Sequence, residues 1–378
     1  MKYSIIVPVY NRPDEVEELL ESLLHQETTD FEVIIVEDGS QKLCREICEH
    51  YRSQLDLHYY FKENSGPGQS RNYGAERAQG EYLLILDSDV VVPKGYLLAV
   101  TKELSAEYAD AFGGPDRADS SFTNTQKAIS YSMTSFFTTG GIRGGKKKLD
   151  KFYPRSFNMG IRRDVYAELG GFSKMRFGED IDFSIRIFKA GKKCRLFPDA
   201  WVYHKRRTDF RKFWRQVFNS GIARINLYKK YPESLKLVHL LPMVFTLGVV
   251  FCCFAILTGI VFYALQALIS FPSAESGWGF FLYTIGLCLM VLGLSPLLLY
   301  SIIIFIDATI KNKRFSVGLR SIVASFVQLM GYGCGFLQAW WRRCIRGQNE
   351  FQAYEKNFYK LFLGVIALRI FINTRNSL

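Results

Sequence analysis

Over the first 113 residues, short β-branched runs alternate with segments of helical period. Tyr3 to Val9 is almost wholly apolar and predicts a strand buried on both faces. Pro13, followed by Asp14 and Glu15, suits a first helical turn, and Val16, Leu19, Leu20, Leu23 and Leu24 then form one apolar stripe. Phe31 to Glu37 predicts the next strand, residues 41 to 52 a helix, Leu57 to Phe61 a strand and Gly68 to Ala78 a helix. The run EYLLILDSD predicts a further strand that ends in acid. Strands and helices in this alternation predict an α/β fold, a mostly parallel sheet with helices on both faces. Ligands of such sheets bind beyond the carboxyl ends of the strands. Three polar clusters fall there: Asn11, Glu37-Asp38-Gly39-Ser40 and Asp87-Ser88-Asp89.

The pattern changes abruptly in the second half. Residues 237–269 and 276–306 contain no Asp, Glu, Lys or Arg, and each run exceeds the roughly 20 residues a helix needs to cross a bilayer core. Spans are expected over about 238–268 and 278–306. A third uncharged run, Ser321 to Trp341, carries Gly331, Gly333 and Gly335, so the segment 318–341 either spans or re-enters. Ahead of the first run, Phe210, Phe213, Trp214, Val217, Phe218, Ile222 and Ile225 recur at helical spacing beside Arg211, Lys212, Arg215 and Arg224. This amphipathic helix fits a membrane interface, with packing on a soluble domain as the competing reading. The expected organisation is a catalytic domain over 1–205, a basic interfacial region over 206–236, a membrane region over 237–341 and a basic tail over 342–378, with a possible in-plane helix at 358–372.

Charge sharpens this division. The formal +12 resolves into −3 over residues 1–200 and +15 over 201–378. The basic excess borders the apolar runs and accompanies no nucleic-acid motif, which favours membrane lipids over a nucleic-acid partner. The eight cysteines form no paired CxxC motif and read as small buried hydrophobes in a reducing compartment. The apolar run at the N-terminus is too short for a signal-peptide core, so the first half is expected in the cytosol.

Asp87 and Asp89 place two carboxylates one residue apart at a strand end, and hard oxygens of this kind suit Mg²⁺ or Mn²⁺ bridging a diphosphate. Acids are also common in turns, so the pair gains meaning from its company. PVYN (8–11), EDGS (37–40), NSGPGQSRNYGAERAQGEYLLILDSD (64–89), NMGIRRDVYAELGGF (158–172) and GEDIDFSIR (178–186) occur in this order. The set resembles the family 2 glycosyltransferases over roughly residues 1–230. That resemblance implies a GT-A (Rossmann-like) catalytic domain and sugar transfer from a nucleotide-diphosphate sugar donor, usually with inversion. It implies that Pro8, Tyr10 and Asn11 line the nucleotide pocket, that Glu37 and Asp38 take base and ribose, and that Arg71, Asn72, Asp87 and Ser88 approach the donor. The family often has two Asp where Glu37-Asp38 stands. The resemblance further implies Asp180 as general base, Glu179 positioning it or the acceptor, and Asp89, Asp87 and His204 around the metal. Asp182 and Arg186 read instead as a structural ion pair. Residues 139–151, with four Gly, four Lys and an Arg, read as a flexible lid or a solvated loop.

Flanking charge sets orientation. Residues 205–236 carry net +8 and 307–320 net +3, and both prefer the cytosol, while 270–275 carries only Glu275. The tail from 342 carries +5 and also prefers the cytosol, which conflicts with a fully spanning third segment. The expectation is a multi-pass enzyme of the inner (cytoplasmic) membrane with its catalytic domain in the cytosol. It would act on a lipid-linked or membrane-proximal acceptor hydroxyl in cell-surface glycan synthesis. A polyisoprenyl-phosphate sugar synthase and a membrane-anchored nucleotidyltransferase are the alternatives.

Overall fold

The computed structural model describes residues 1–117, 122–140, 152–205, 207–269 and 277–349. The glycine- and lysine-rich 141–151 segment, the connection at 270–276 and the tail from 350 lie outside these residues. The chain divides into two compact units.

The first unit comprises residues up to Pro115 together with Phe152–Val202. In chain order its elements are β1 (Tyr3–Val9), α1 (Pro13–Leu24), β2 (Phe31–Asp38), α2 (Arg45–Tyr51), β3 (Leu57–Lys62), α3 (Pro67–Ala75), β4 (Tyr82–Leu86), α4 (Tyr96–Ala106) and β5 (Ala111–Gly113). Helices α5 (Asn124–Thr134) and α6 (Phe136–Thr139) then belong to the second unit. The chain returns to the first with β6 (Asn158–Arg162), α7 (Arg163–Glu168), α8 (Glu179–Lys189) and β7 (Cys194–Leu196). The seven strands form one sheet in the order β3-β2-β1-β4-β6-β5-β7. β1, β2, β3 and β4 run parallel, whereas β6 is antiparallel to β4 and β5.

Period-2 alternation sorts the strand side chains into two cores. Ile5, Val7, Val9, Val33 and Ile35 pack with Leu19, Leu20 and Leu23 of α1, while Ile6, Ile34, Val36 and Ile85 pack with Phe183 and Ile187 of α8. Covering both faces explains why β1 and β2 read as continuous apolar runs. The strand order reverses at β1, and the ladder from β1 to β4 stops at Ile6 and Ile85 while that from β1 to β2 continues to Val9. Pro8, which has no N–H to donate, lies where β1 has lost its β4 partner. The ends of β1 and β4 part beyond this point, and the Asn11 and Asp87–Asp89 clusters lie in the segments that follow them.

The second unit comprises residues 116–151 and 203–348. Residues 116–140, expected within the catalytic domain, therefore belong with the helical region, where Ala128, Ile129 and Met133 of α5 share a core with Phe213, Val217, Val317 and Ala324. Its long helices are α9 (Phe210–Lys230), α10 (Leu241–Ile269), α11 (Gly277–Asn312) and α12 (Phe315–Trp340), followed by a wider π-type turn over Trp341–Ile345. Three helical segments, Leu237–Ala267, Trp278–Asn312 and Phe315–Ile345, are long and apolar enough to cross a membrane. The apolar stripe of α9, including Phe213, Val217, Phe218 and Ile222, is buried, and α9 packs along α12.

Candidate active site

Two arginines organise the acids of the first unit. Arg71, on α3, is fully buried: its Nη2 lies 2.8 Å from Asp87 Oδ1, its Nη1 3.4 Å from Glu179 Oε1, and its guanidinium 5.1 Å from the centre of the Phe172 ring. Arg12, which follows Asn11 at the end of β1, reaches Asp89 Oδ2 at 2.7 Å and Glu15 at 2.8 Å. Each carboxylate of the Asp87–Asp89 pair thus has its own guanidinium. Asp89 and Ser88 are buried, and Asp87 is half-buried. Hard carboxylate oxygens at the end of a strand fit Mg²⁺ or Mn²⁺, and a cation arriving there meets charge that arginine already compensates.

Gly178, at φ +89°, makes the turn that starts α8, a conformation glycine adopts without steric cost. The turn puts Glu179 and Asp180 in the first helical turn, where the helix dipole favours negative charge. Burial is the largest influence on Glu179: together with the neighbouring Asp180 it pushes the carboxyl up to about 7, against the opposing pull of Arg71. Asp180 Oδ2 lies 3.2 Å from Arg155 Nε and Oδ1 accepts a hydrogen bond from Ile181 N. Asp182 is fully buried and pairs with Arg186 at 3.1 Å, and Arg186 also donates to the carbonyls of Leu169 and Gly171. The expected structural ion pair is present.

The remaining expected donor residues divide by what they already hold. Asn11 adopts φ +56° and its Oδ1 accepts from the backbone of Gln41 and Lys42, while its own N–H donates to Ser40 Oγ. It staples the loop after β1 to the loop after β2. Tyr10 is exposed, and Pro8 lies beyond the last β1–β4 pair. Glu37 is closed off from solvent; it accepts from Cys44 N, Cys44 Sγ and Tyr59 Oη, and so anchors the approach to α2. Asp38 is also buried, paired with Lys62 and accepting from the backbone N–H groups of Ser65 and Gly66. It shapes the Asn64–Gly66 loop that leads into α3. Asn72 bonds Phe172 through both its N–H and its carbonyl and accepts from Tyr166 Oη, a packing role. His204 closes the short strand Val202–His204, where the chain passes from the first unit into the second.

Arg12 and Arg155 escaped the sequence reading. Arg12 directly follows the PVYN motif, and that adjacency was a usable signal. Arg155 lies in a stretch without any motif.

A parallel sheet with a reversal point, carboxylates at the end of β4 and a second acidic pair opening α8 define a GT-A-type domain. Residues 4–170 match the model of glycosyl transferase family 2, so the chain carries a family 2 glycosyltransferase domain. The chain is 38% identical over 114 residues to the poly(ribitol-phosphate) beta-N-acetylglucosaminyltransferase TarS of Staphylococcus aureus, a match covering 29% of this chain and 20% of that protein. It is 24% identical over 267 residues to the glycosyltransferase GlyG of Streptococcus pneumoniae, covering 62% of this chain and 88% of that one. Among solved structures, the mannosyltransferase PcManGT of Pyrobaculum calidifontis, in complex with GDP-Man and Mn²⁺, superposes with a TM-score of 0.51 at 18% identity, over 77% of this chain and 85% of that chain. That likeness shows a shared fold. The match to TarS spans about a fifth of that relative's length.

Proposed function

We propose that the protein is an inverting glycosyltransferase that moves a sugar from a nucleotide-diphosphate donor to an acceptor hydroxyl. One observation carries this reading: Arg71 bridges Asp87 and Glu179, so the two acidic motifs, about ninety residues apart in the chain, face one buried cation. The donor lies beyond the carboxyl ends of β1 and β4, with Pro8, Tyr10 and Ser88 beside it. Asp89 and Asp87, with His204 as third ligand by its resemblance, would hold a divalent cation, which would supply a Lewis acid for the leaving diphosphate. Arg12 and Arg71 add positive charge where the departing diphosphate gains negative charge. Asp180 takes the proton of the acceptor hydroxyl as the new C–O bond forms. Arg155 orients that carboxylate, and Glu179 sits between it and Arg71. The GDP-Man and Mn²⁺ of the structural neighbour are in keeping with such a donor and metal.

The acceptor is lipid-linked or membrane-proximal and belongs to cell-surface glycan synthesis at the cytoplasmic face of the membrane. The apolar helices of the second unit support that reading. Asp180→Asn is expected to lower transfer by roughly a thousandfold, the scale of a lost general base, with donor affinity within about threefold of the parent. Undiminished turnover would remove the mechanism. Release of nucleoside diphosphate separates this reaction from nucleotidyl transfer, which would release pyrophosphate.

A further inference from the structure

The third apolar helix packs in a way that its composition does not reveal. α10 and α11 form an antiparallel hairpin in which a side chain added at Gly259 would meet Gly286 and Met290, and one at Gly293 would meet Cys252 and Ile256. The open end of this hairpin is therefore Leu241–Val249 on α10 and Tyr300–Asn312 on α11. Contacts along the length of α12, among the described residues, place it at this end. Gly318 abuts Phe305 and Thr309; the Phe326 ring lies 5.5 Å from Tyr300 and 5.6 Å from Phe245; Gly333 abuts Thr246 and Pro242.

From Gly318 to Gly333 α12 advances about 22 Å along its own axis. A helix running alongside the hairpin would over that distance travel from Thr309 to the level of Gly293 and Cys252. α12 instead passes from one leg of the hairpin to the other at the same end. α9 accompanies it in parallel: Gly331 abuts Val217, Gly335 abuts Phe218, and Asn226 accepts from Arg343. α12 is also the most buried of the three apolar segments, at 44% against 22% and 11%. Beyond this base the hairpin continues over Val250–Ile269, about 30 Å of helix, the thickness of a bilayer hydrocarbon core. Phe251, Phe254, Leu257 and Val261 are exposed along it.

We infer that α12 is not a third span but lies in the plane of the membrane beside α9, across the base of a two-helix anchor. Its occupant is the lipid surface. The exposed stripe Phe315, Leu319 and Val323 faces acyl chains, and the exposed Trp340 and Trp341 sit at the interface beside Arg346, also exposed, which meets anionic headgroups. The conflict of charges then disappears, because residues 207–236, 307–320 and 342–349 all lie on one face. This inference does not depend on the proposed reaction.

Two measurements on the full-length chain test it. The first attaches a fluorescent protein or alkaline phosphatase after Leu378 in a bacterial host and compares each with the same reporter inserted at Ser273. Fluorescence at the C-terminus with phosphatase activity only at 273 is expected; phosphatase activity at the C-terminus overturns the inference. The second places a spin label at 319, 323 or 340, in turn, in vesicles containing anionic lipid. Depths within about 5 Å of one another are expected. A helix crossing or dipping into the bilayer would deepen by up to 1.5 Å per residue, and such a gradient overturns the inference even if the tail is cytosolic.

Discussion

At the scale of single residues, the site is a balance of four acids against three arginines. Arg12 lies 2.7 Å from Asp89 and contributes a fixed positive charge where a metal would bind. Replacing it with methionine is expected to tighten Mn²⁺ binding to the nucleotide-free protein several-fold, read from the free Mn²⁺ signal in electron paramagnetic resonance. Unchanged or weaker binding would show that Arg12 does not compete with the cation. Glu179 supplies a second prediction. Its carboxyl is raised in the folded state, so the protonated form contributes stability that is present at acid pH and lost as pH rises through about 7. Glu179→Gln keeps an uncharged side chain at every pH. The melting temperature of the variant relative to the parent is thus expected to be higher at pH 8 than at pH 5, and equal offsets at both values would contradict the buried-acid account. The order of motifs brought Asp87, Asp89, Glu179 and Asp180 into view in the sequence, and the structure gathers them around Arg12, Arg71 and Arg155. The internal partners of Glu37, Asp38 and Asn72 were not legible, because a carboxylate that receives backbone N–H groups and one that receives a ribose hydroxyl look the same in a string of letters.

At the scale of elements, β1 to β4 follow the apolar pattern closely, since strands covered on both faces leave a continuous signature. The glycines of α12 were harder to interpret. Three of them in one apolar run read as weakness in a spanning helix, yet in the folded unit they are the places where α9 and α10 approach the backbone of α12. A side chain at Gly335 would come within 2.0 Å of the Phe218 carbonyl, and one at Gly221 within 2.1 Å of Tyr332 O. Gly335→Leu is therefore expected to lower the melting temperature of the detergent-solubilised protein by several degrees or abolish its accumulation. Gly248→Ala, at a helical position with open space, is expected to be neutral or slightly stabilising. Equal behaviour of the two variants would mean that close packing at Gly335 is dispensable. Periodicity identified the amphipathic face of α9 but not its cover, because the same stripe suits a lipid surface and a neighbouring helix.

At the scale of the whole molecule, the division of charge into an acidic first half and a basic second half was visible in the sequence, as were the apolar runs that become helices long enough to cross a membrane. The assignment of residues 116–140 to the helical unit was not visible. Tyr131, which donates to Asp307 at 2.6 Å, and Asn124, which bonds Ser316, tie this segment to partners nearly two hundred residues away, and contacts at such separation leave no local pattern. The α10–α11 hairpin has a last consequence. Its legs meet backbone to backbone at Gly259, Gly286 and Gly293, so the two helices leave no channel between them over the described residues. If the proposed polymer-building reaction holds, this hairpin by itself would offer a hydrophilic product no path across a bilayer, and export would fall to separate machinery.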